Sequence, residues 1–183
     1  MEDQALDQNL NEIKSLNYAS FWDRTGATLI DVLIMIPVFA LNYFNAMNWK
    51  SIPLALLISI VYIVYKIYME GSSGGTLGKK AMKIKVVNLD GSKIDMQKSV
   101  QRNCLYLINS IFTLISVYMV YSAAGFENIT GGFSELGKFQ NENGFMLADI
   151  SGILILISIL FVIWEKQKQA LHVKIAKTYC IKY

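Results

Sequence analysis

The sequence predicts an all-α integral membrane protein: a four-transmembrane-helix bundle with a small cytoplasmic β-hairpin and an amphipathic C-terminal segment. Three observations carry this expectation. Of the 183 residues 54% are hydrophobic and only 17% are charged, and the mean hydropathy is +0.37, richer in apolar side chains than an ordinary soluble domain. The apolar residues come in long blocks instead of being interspersed at helix or strand period. The basic residues gather in segments that must share one face of a membrane.

A hydrocarbon core of about 30 Å needs about 20 helical residues to cross it. Four blocks approach that length, at about 26–44, 52–68, 104–121 and 147–164. The first holds a single charge, Asp31, and a single proline, Pro37; the second is crowded with Ile, Leu, Val and Tyr. Trp22, Trp49, Tyr68, Tyr121 and Trp164 lie near block ends, where interfacial aromatics belong. Residues 1–17 form a short N-terminal segment with Glu2, Asp3, Asp7, Glu12 and one base, Lys14. It has no apolar stretch of the kind a cleavable signal needs, so the first block is expected to insert and stay.

Lysines and arginines set the orientation. The connection between the first two blocks carries only Lys50, and the connection between the last two carries Lys138 against Glu127, Glu135 and Glu142. The middle segment holds Lys79, Lys80, Lys83, Lys85, Lys93, Lys98 and Arg102, and the tail holds Lys166, Lys168, Lys174, Lys177 and Lys182. Both termini are therefore expected in the cytoplasm, in a multi-pass protein of the cell inner (plasma) membrane. The partners implied are the bilayer, anionic headgroups attracted to the basic face, and a second copy or another membrane protein, because four helices make only a thin bundle. Nothing points to nucleic acid.

The middle segment reads as a small folded element. Ile84, Val86 and Val87 lead into Asn88-Leu89-Asp90-Gly91, and Ile94 follows. An Asp-Gly pair between apolar runs predicts a hairpin over about 83–95. Tyr179, Ile181 and Tyr183 alternate in the tail and are expected to add a third strand. Ala170, Leu171, Ile175 and Ala176 with flanking lysines suit a short helix on the membrane surface. Residues 122–146, rich in glycine, read as an irregular outer loop.

Asp31 is the most informative side chain. A carboxylate inside a spanning helix costs roughly 3 kcal/mol on insertion scales, and this one sits roughly 10 Å past the boundary at the helical rise. It is expected to face the bundle interior or water, as a proton or cation site or as a structural carboxylate bonded to another helix. Arg24 and Thr28 share its face at offsets of seven and three residues. Glu70 falls at the cytoplasmic end of the second block, where a solvated side chain is expected. Asp149 is placed to cap the outer start of the fourth block, and Asn109 lies inside the third, able to hydrogen-bond another helix.

Several chemistries are excluded. Gly71 to Lys80 resembles a phosphate loop superficially, but Ser73 stands where glycine is required and Lys80 where a hydroxyl is required. A lone His172 argues against hydrolase and zinc chemistry. Cys104 and Cys180 lack metal-ligand spacing and are read as two free thiols. Asn128-Ile129-Thr130 matches a glycosylation sequon, which matters only in a secretory-pathway host. No cofactor, metal site or enzymatic activity is expected.

The order of motifs resembles the RDD family of bacterial and archaeal membrane proteins, named for one arginine and two aspartates. Tyr18 to Arg24 followed by Leu29-Ile30-Asp31 resembles its first-helix signature, matching Arg24 and Asp31 to the first two letters. Gly74 to Lys80 and Val86 to Gly91 resemble its connecting segment. Arg102-Asn103 and Leu171-His172 before Ile175-Ala176 resemble its later stretches. One position departs: Val173 stands where members place an aspartate after Leu-His. The resemblance implies a transport-type protein, with cation/proton antiport among the activities proposed for the family. Asp31 is then the protonatable site, oriented by Arg24 and Thr28, with Asn109, Glu70 and Asp149 as accessory polar groups. The competing expectation is a structural or accessory membrane subunit that binds lipid or a partner through its basic face.

Overall fold

The computed structural model describes residues 17–144, 146–160 and 176–183. Its elements run α1 (Phe21–Phe44), a π-helical turn (Asn45–Trp49), α2 (Ile52–Ser73), α3 (Leu77–Ala81), β1 (Ile84–Asn88), α4 (Met96–Arg102) and α5 (Cys104–Ser122). A 3-10 turn (Phe126–Asn128), α6 (Phe133–Asn143), α7 (Met146–Leu160) and β2 (Thr178–Lys182) follow. Three helical segments among the described residues are long and apolar enough to cross a membrane: Phe21–Trp49, Ile52–Ser73 and Cys104–Ser122. Their apolar side chains point outward, with Leu33 62% and Ile111 56% exposed. Such exposure in water would mark an interaction patch; on helices of this length it marks a lipid-facing surface. The expected fourth span is helical over Met146–Leu160. Its final residues lie outside the described residues, as do the surface helix expected before Ala176, His172, Val173 and residues 1–16.

The chain divides into two compact units. One comprises Met1–Leu33, Tyr65–Cys104 and Ile157–Tyr183; the other comprises Ile34–Val64 and Leu105–Leu156.

In the first unit α1 starts five residues before the apolar block. Ser20 caps it: the Asp23 amide donates to Ser20 Oγ at 3.1 Å, and the Ser20 amide donates back to Asp23 Oδ2 at 2.9 Å. This reciprocal pair satisfies two amides that a helix start leaves open. α2 likewise runs past Tyr68 to Ser73, which brings Glu70 into the helix. Gly74 then adopts φ +75°, and Thr76 caps α3, accepting from the Lys79 amide. Ala19, Ala27, Ile84, Val86, Ile94 and Cys180 form the unit's apolar core, with Met82 packed against it.

The sheet differs from the expected hairpin. β1 pairs antiparallel with β2, from Ile84 opposite Lys182 to Asn88 opposite Thr178. The turn forms where expected, with Gly91 at φ +78° and the Asn88 amide bonded to Ser92 O at 2.9 Å. Its return arm, however, pairs only through a single bridge, Val87 to Lys93. Asp95 ends that arm by capping α4, accepting from the Lys98 amide at 2.7 Å, so the chain turns helical before a second strand can extend. The tail is thus the main partner of β1. Tyr18 bridges to Ile181 on the other side of β2, and the Ala19 amide bonds Cys180 O at 2.9 Å.

In the second unit the segment expected to be an irregular loop is more ordered than its glycine content suggests. Phe133–Asn143 is a helix of 11 residues, preceded by Gly132 at φ +80°. Leu136 is buried with Ala46, Val120, Phe126 and Ile129, and Phe139 packs against the cluster. Phe133, Leu136 and Phe139, at helical spacing, outweigh the one glycine among them, Gly137. The end of the first span is fixed here too. Lys50 closes the π-helical turn at φ 51°, and its ammonium reaches Ile129 O at 3.2 Å and the Glu127 carbonyl.

Candidate functional site

Two polar features, one in each unit, carry the functional question. In the first unit Asp31 is buried, 5% exposed, and its carboxylate is fully engaged. Oδ1 accepts from Tyr65 Oη at 2.8 Å and from the Gly78 amide at 2.8 Å; Oδ2 accepts from Thr76 Oγ1 at 2.6 Å. Tyr65 Oη in turn accepts from the Leu77 amide at 2.9 Å. The carboxylate therefore stitches α1, α2 and the start of α3 together through neutral donors. Charge-assisted bonds of this kind are roughly twice as strong as neutral ones. Gly78 is required by the approach: a β-carbon there would overlap the Ala27 carbonyl and crowd the Asp31 carboxyl carbon. The segment that resembled a phosphate loop spends this backbone donor on the protein's own carboxylate.

Arg24 and Thr28 do not join Asp31. Thr28 is exposed and its hydroxyl donates to Arg24 O at 3.0 Å, one turn back. Arg24 Nε donates to Ala19 O at 3.2 Å, and its Nη2 is buried with no hydrogen-bond partner. The helical offsets align the three residues on one face, but Asp31 is claimed by donors from other elements.

Glu70 is fully buried, not solvated. Its carboxylate meets the Lys79 ammonium, Arg102 Nε at 3.0 Å and Asn103 Nδ2 at 3.1 Å. Arg102 then spreads its fork: Nη1 donates to Thr178 Oγ1 at 3.0 Å and Nη2 to Cys180 Sγ at 3.0 Å. One guanidinium thereby ties α2, α4 and β2. Burial pushes the Cys180 thiol up, but Arg102, Arg24 and Lys79 outweigh burial and hold it down at about 6. Lys66 lies one turn before Glu70, at the offset that places side chains together. The sequence reading passed over it, although a lysine inside a span is itself a signal.

The second unit holds a cavity of about 540 Å³, with Asn42, Ser59, Asn109, Thr113, Ser116, Tyr121, Gln140, Asn141 and Asp149 among its lining residues. Phe39, Tyr43, Val117, Val120, Phe133 and Leu136 supply apolar wall. Asn109 and Asp149, both named by the sequence, meet here, whereas Glu70 belongs to the first unit. Asn42 Oδ1 is buried with no hydrogen-bond partner. Tyr121 Oη accepts from Asn45 Nδ2 at 3.3 Å. The ring of Tyr43 stands 6.2 Å from that of Phe133, which anchors α6. Among the described residues no group of three or more His, Cys, Asp or Glu side chains is placed to hold a metal ion.

Comparison with curated proteins and with solved structures gives no match. The RDD family model matches residues 18–177, nearly the whole chain. With its apolar spanning helices and that match, the chain belongs to the RDD family of multi-pass membrane proteins.

Proposed function

We propose that the protein is a transport-type membrane protein that moves a small cation or solute coupled to protons. In this reading it crosses the cell's inner (plasma) membrane four times, α7 being the start of the fourth span, with both termini cytoplasmic. The observation that supports it best is the polar cavity lined by Asn42, Ser59, Thr113 and Asp149 in a unit built from apolar helices. Polar groups are expensive at membrane depth and mark solute or ion pathways. Asp149, the cavity's carboxylate, takes the proton-carrying role that the sequence gave to Asp31, whose oxygens are occupied by three donors.

The test is flux. The full chain in liposomes with an entrapped pH-sensitive dye should move protons when alkali-cation or organic-solute gradients are imposed, and Asp149→Asn should suppress this. No coupled flux with any gradient removes the transport reading. Orientation is tested separately: an impermeant maleimide should label a cysteine placed at Glu127 in intact cells and leave one at Leu89 unlabelled.

A second reading, an accessory subunit held to lipid or a partner by its basic face, has its own support. Lys80, Lys83, Lys85 and Lys93 are all exposed in the first unit, the arrangement that anionic headgroups attract at about 1 kcal/mol per basic residue. Retention of anionic lipid that disappears when these four lysines become glutamine, with no flux in the parent, would favour it.

A further inference from the structure

We propose that the cavity of the second unit binds a small organic ammonium solute, an amine or amino alcohol, and not a bare metal ion or an anion. This rests on the transport reading for its physiological sense and names the cargo class that reading leaves open.

Size is the first argument. A hard cation such as calcium is held by oxygens at about 2.3–2.6 Å, a cage far smaller than the 540 Å³ available here. Cavities of about 300–1,000 Å³ are those that enclose organic ligands. A desolvated metal ion would touch one wall and leave the rest unfilled.

The second argument is the polarity of the wall. Ser59 Oγ donates to Ala55 O at 2.8 Å, and Thr113 Oγ1 donates to Asn109 O at 2.8 Å. Each hydroxyl has spent its proton on its own helix, so it presents lone pairs to the cavity. Asn42 Oδ1 is a buried acceptor with no partner, and Asp149 is a carboxylate. Among the described residues, no lysine, arginine or histidine lines the cavity. Asn42, Asn109, Gln140 and Asn141 add N–H donors to the wall. An anion would still meet a carboxylate without a compensating cation among the described lining residues, and the acceptors named above would stay unfilled. A ligand that donates several N–H or O–H bonds and carries positive charge satisfies them.

The third argument is the apolar part. The rings of Phe39, Tyr43 and Phe133 all line the cavity. Aromatic faces attract an ammonium by about 0.5–2 kcal/mol, more as it is desolvated. A carboxylate, unpaired acceptors and aromatic rings in one cavity together favour an ammonium carried on a short carbon skeleton.

The test is binding to the full chain in nanodiscs by calorimetry, with ethanolamine, putrescine, choline, sodium chloride and succinate as probes. At least one amine should bind saturably, while sodium and succinate should not compete with it. Asp149→Asn should weaken that binding about tenfold or more, the scale of a lost charge-assisted bond. Asn42→Ala, which removes only an unpartnered group, should weaken it several-fold with an unchanged melting temperature, so a folding defect at Asp149 would not hide the answer. Saturable succinate or sodium binding at this cavity, no binding by any amine, or amine binding indifferent to both variants would overturn the proposal. Amine binding without flux would defeat the transport reading alone; sodium-coupled flux without amine binding would defeat this inference alone.

Discussion

The two units differ in what surrounds their candidate polar groups, although each holds a buried atom without a hydrogen-bond partner: Arg24 Nη2 and Asn88 Oδ1 in the first, Asn42 Oδ1 in the second. In the first, Asp31 and Glu70 are each ringed by donors, and one arginine completes the set by reaching Thr178 and Cys180. In the second, a buried carbonyl oxygen has no partner and two hydroxyls turn lone pairs into a cavity. Buried polar groups are hydrogen-bonded as a rule, and exceptions ask for an explanation. The donor-ringed set suits a structural joint, because both oxygens of each carboxylate are already engaged. The open set is what the proposed ligand completes. The most conspicuous charge in the sequence is bonded into the first unit, and the groups of the proposed site are less conspicuous ones.

Removing the charge at the joint should have the largest effect. Glu70→Ala leaves Arg102 and Lys79 buried against each other without their counter-charge, and should cost about 3–5 kcal/mol. Urea unfolding in detergent measures it; a loss below about 1 kcal/mol would mean that the joint is not what holds the first unit. Asp31→Asn keeps one acceptor oxygen but loses the charge that serves three donors, and should cost about 1–3 kcal/mol in the same assay. Gly78→Ala should fall in the same range, about 1–3 kcal/mol, since the added methyl forces α3 off the Ala27 carbonyl.

A pH-dependent effect sharpens the comparison further. The Cys180 thiol is held below its ordinary value, at about 6 against 9.0. A depressed acid contributes stability that is complete above its ordinary value and lost as pH falls through the lowered one. The native protein should thus gain on Cys180→Ser as pH rises from about 6 towards 9.0, read as diverging melting temperatures. Parallel curves would show that the thiol titrates as it does in the unfolded chain. The smallest effect is expected in the cavity: Asn42→Ala should change stability by no more than about 0.5 kcal/mol. A large loss there would make Asn42 part of a joint and erase the contrast between the units.

Much of this architecture was legible. Three of the four apolar blocks fall on helices long and apolar enough to cross a membrane, and the lone aspartate in the first block is buried and bonded to another helix. Its partners were not legible, because Tyr65, Thr76 and Gly78 lie 34 to 47 positions further along the chain. Helical periodicity sees only neighbours on one helix, so it offered Arg24 and Thr28 instead. Ending the second span at Tyr68 puts Glu70 in water, and only the helix's run to Ser73 makes Lys66 and Glu70 a one-turn pair inside it. The cavity was hidden for another reason. One wall is α6, and Gly137 within it, with Gly131, Gly132 and Gly144 around its ends, disguised a helix whose buried Leu136 gives it away.

The pairing of β1 with β2 has a consequence for biosynthesis. The ribosome delivers residues 84–88 early, and then α5, α6 and α7 before the partner strand at 178–182 exists. Until then β1 carries an open edge, and open edges invite pairing with foreign strands. Arg102 waits equally long for Thr178 and Cys180. The first unit, which begins the chain, can only be finished by its last strand. A premature stop shortly before Thr178 would therefore spare the helices yet leave the joint around Glu70 and Arg102 unsealed, with β1 open along one edge.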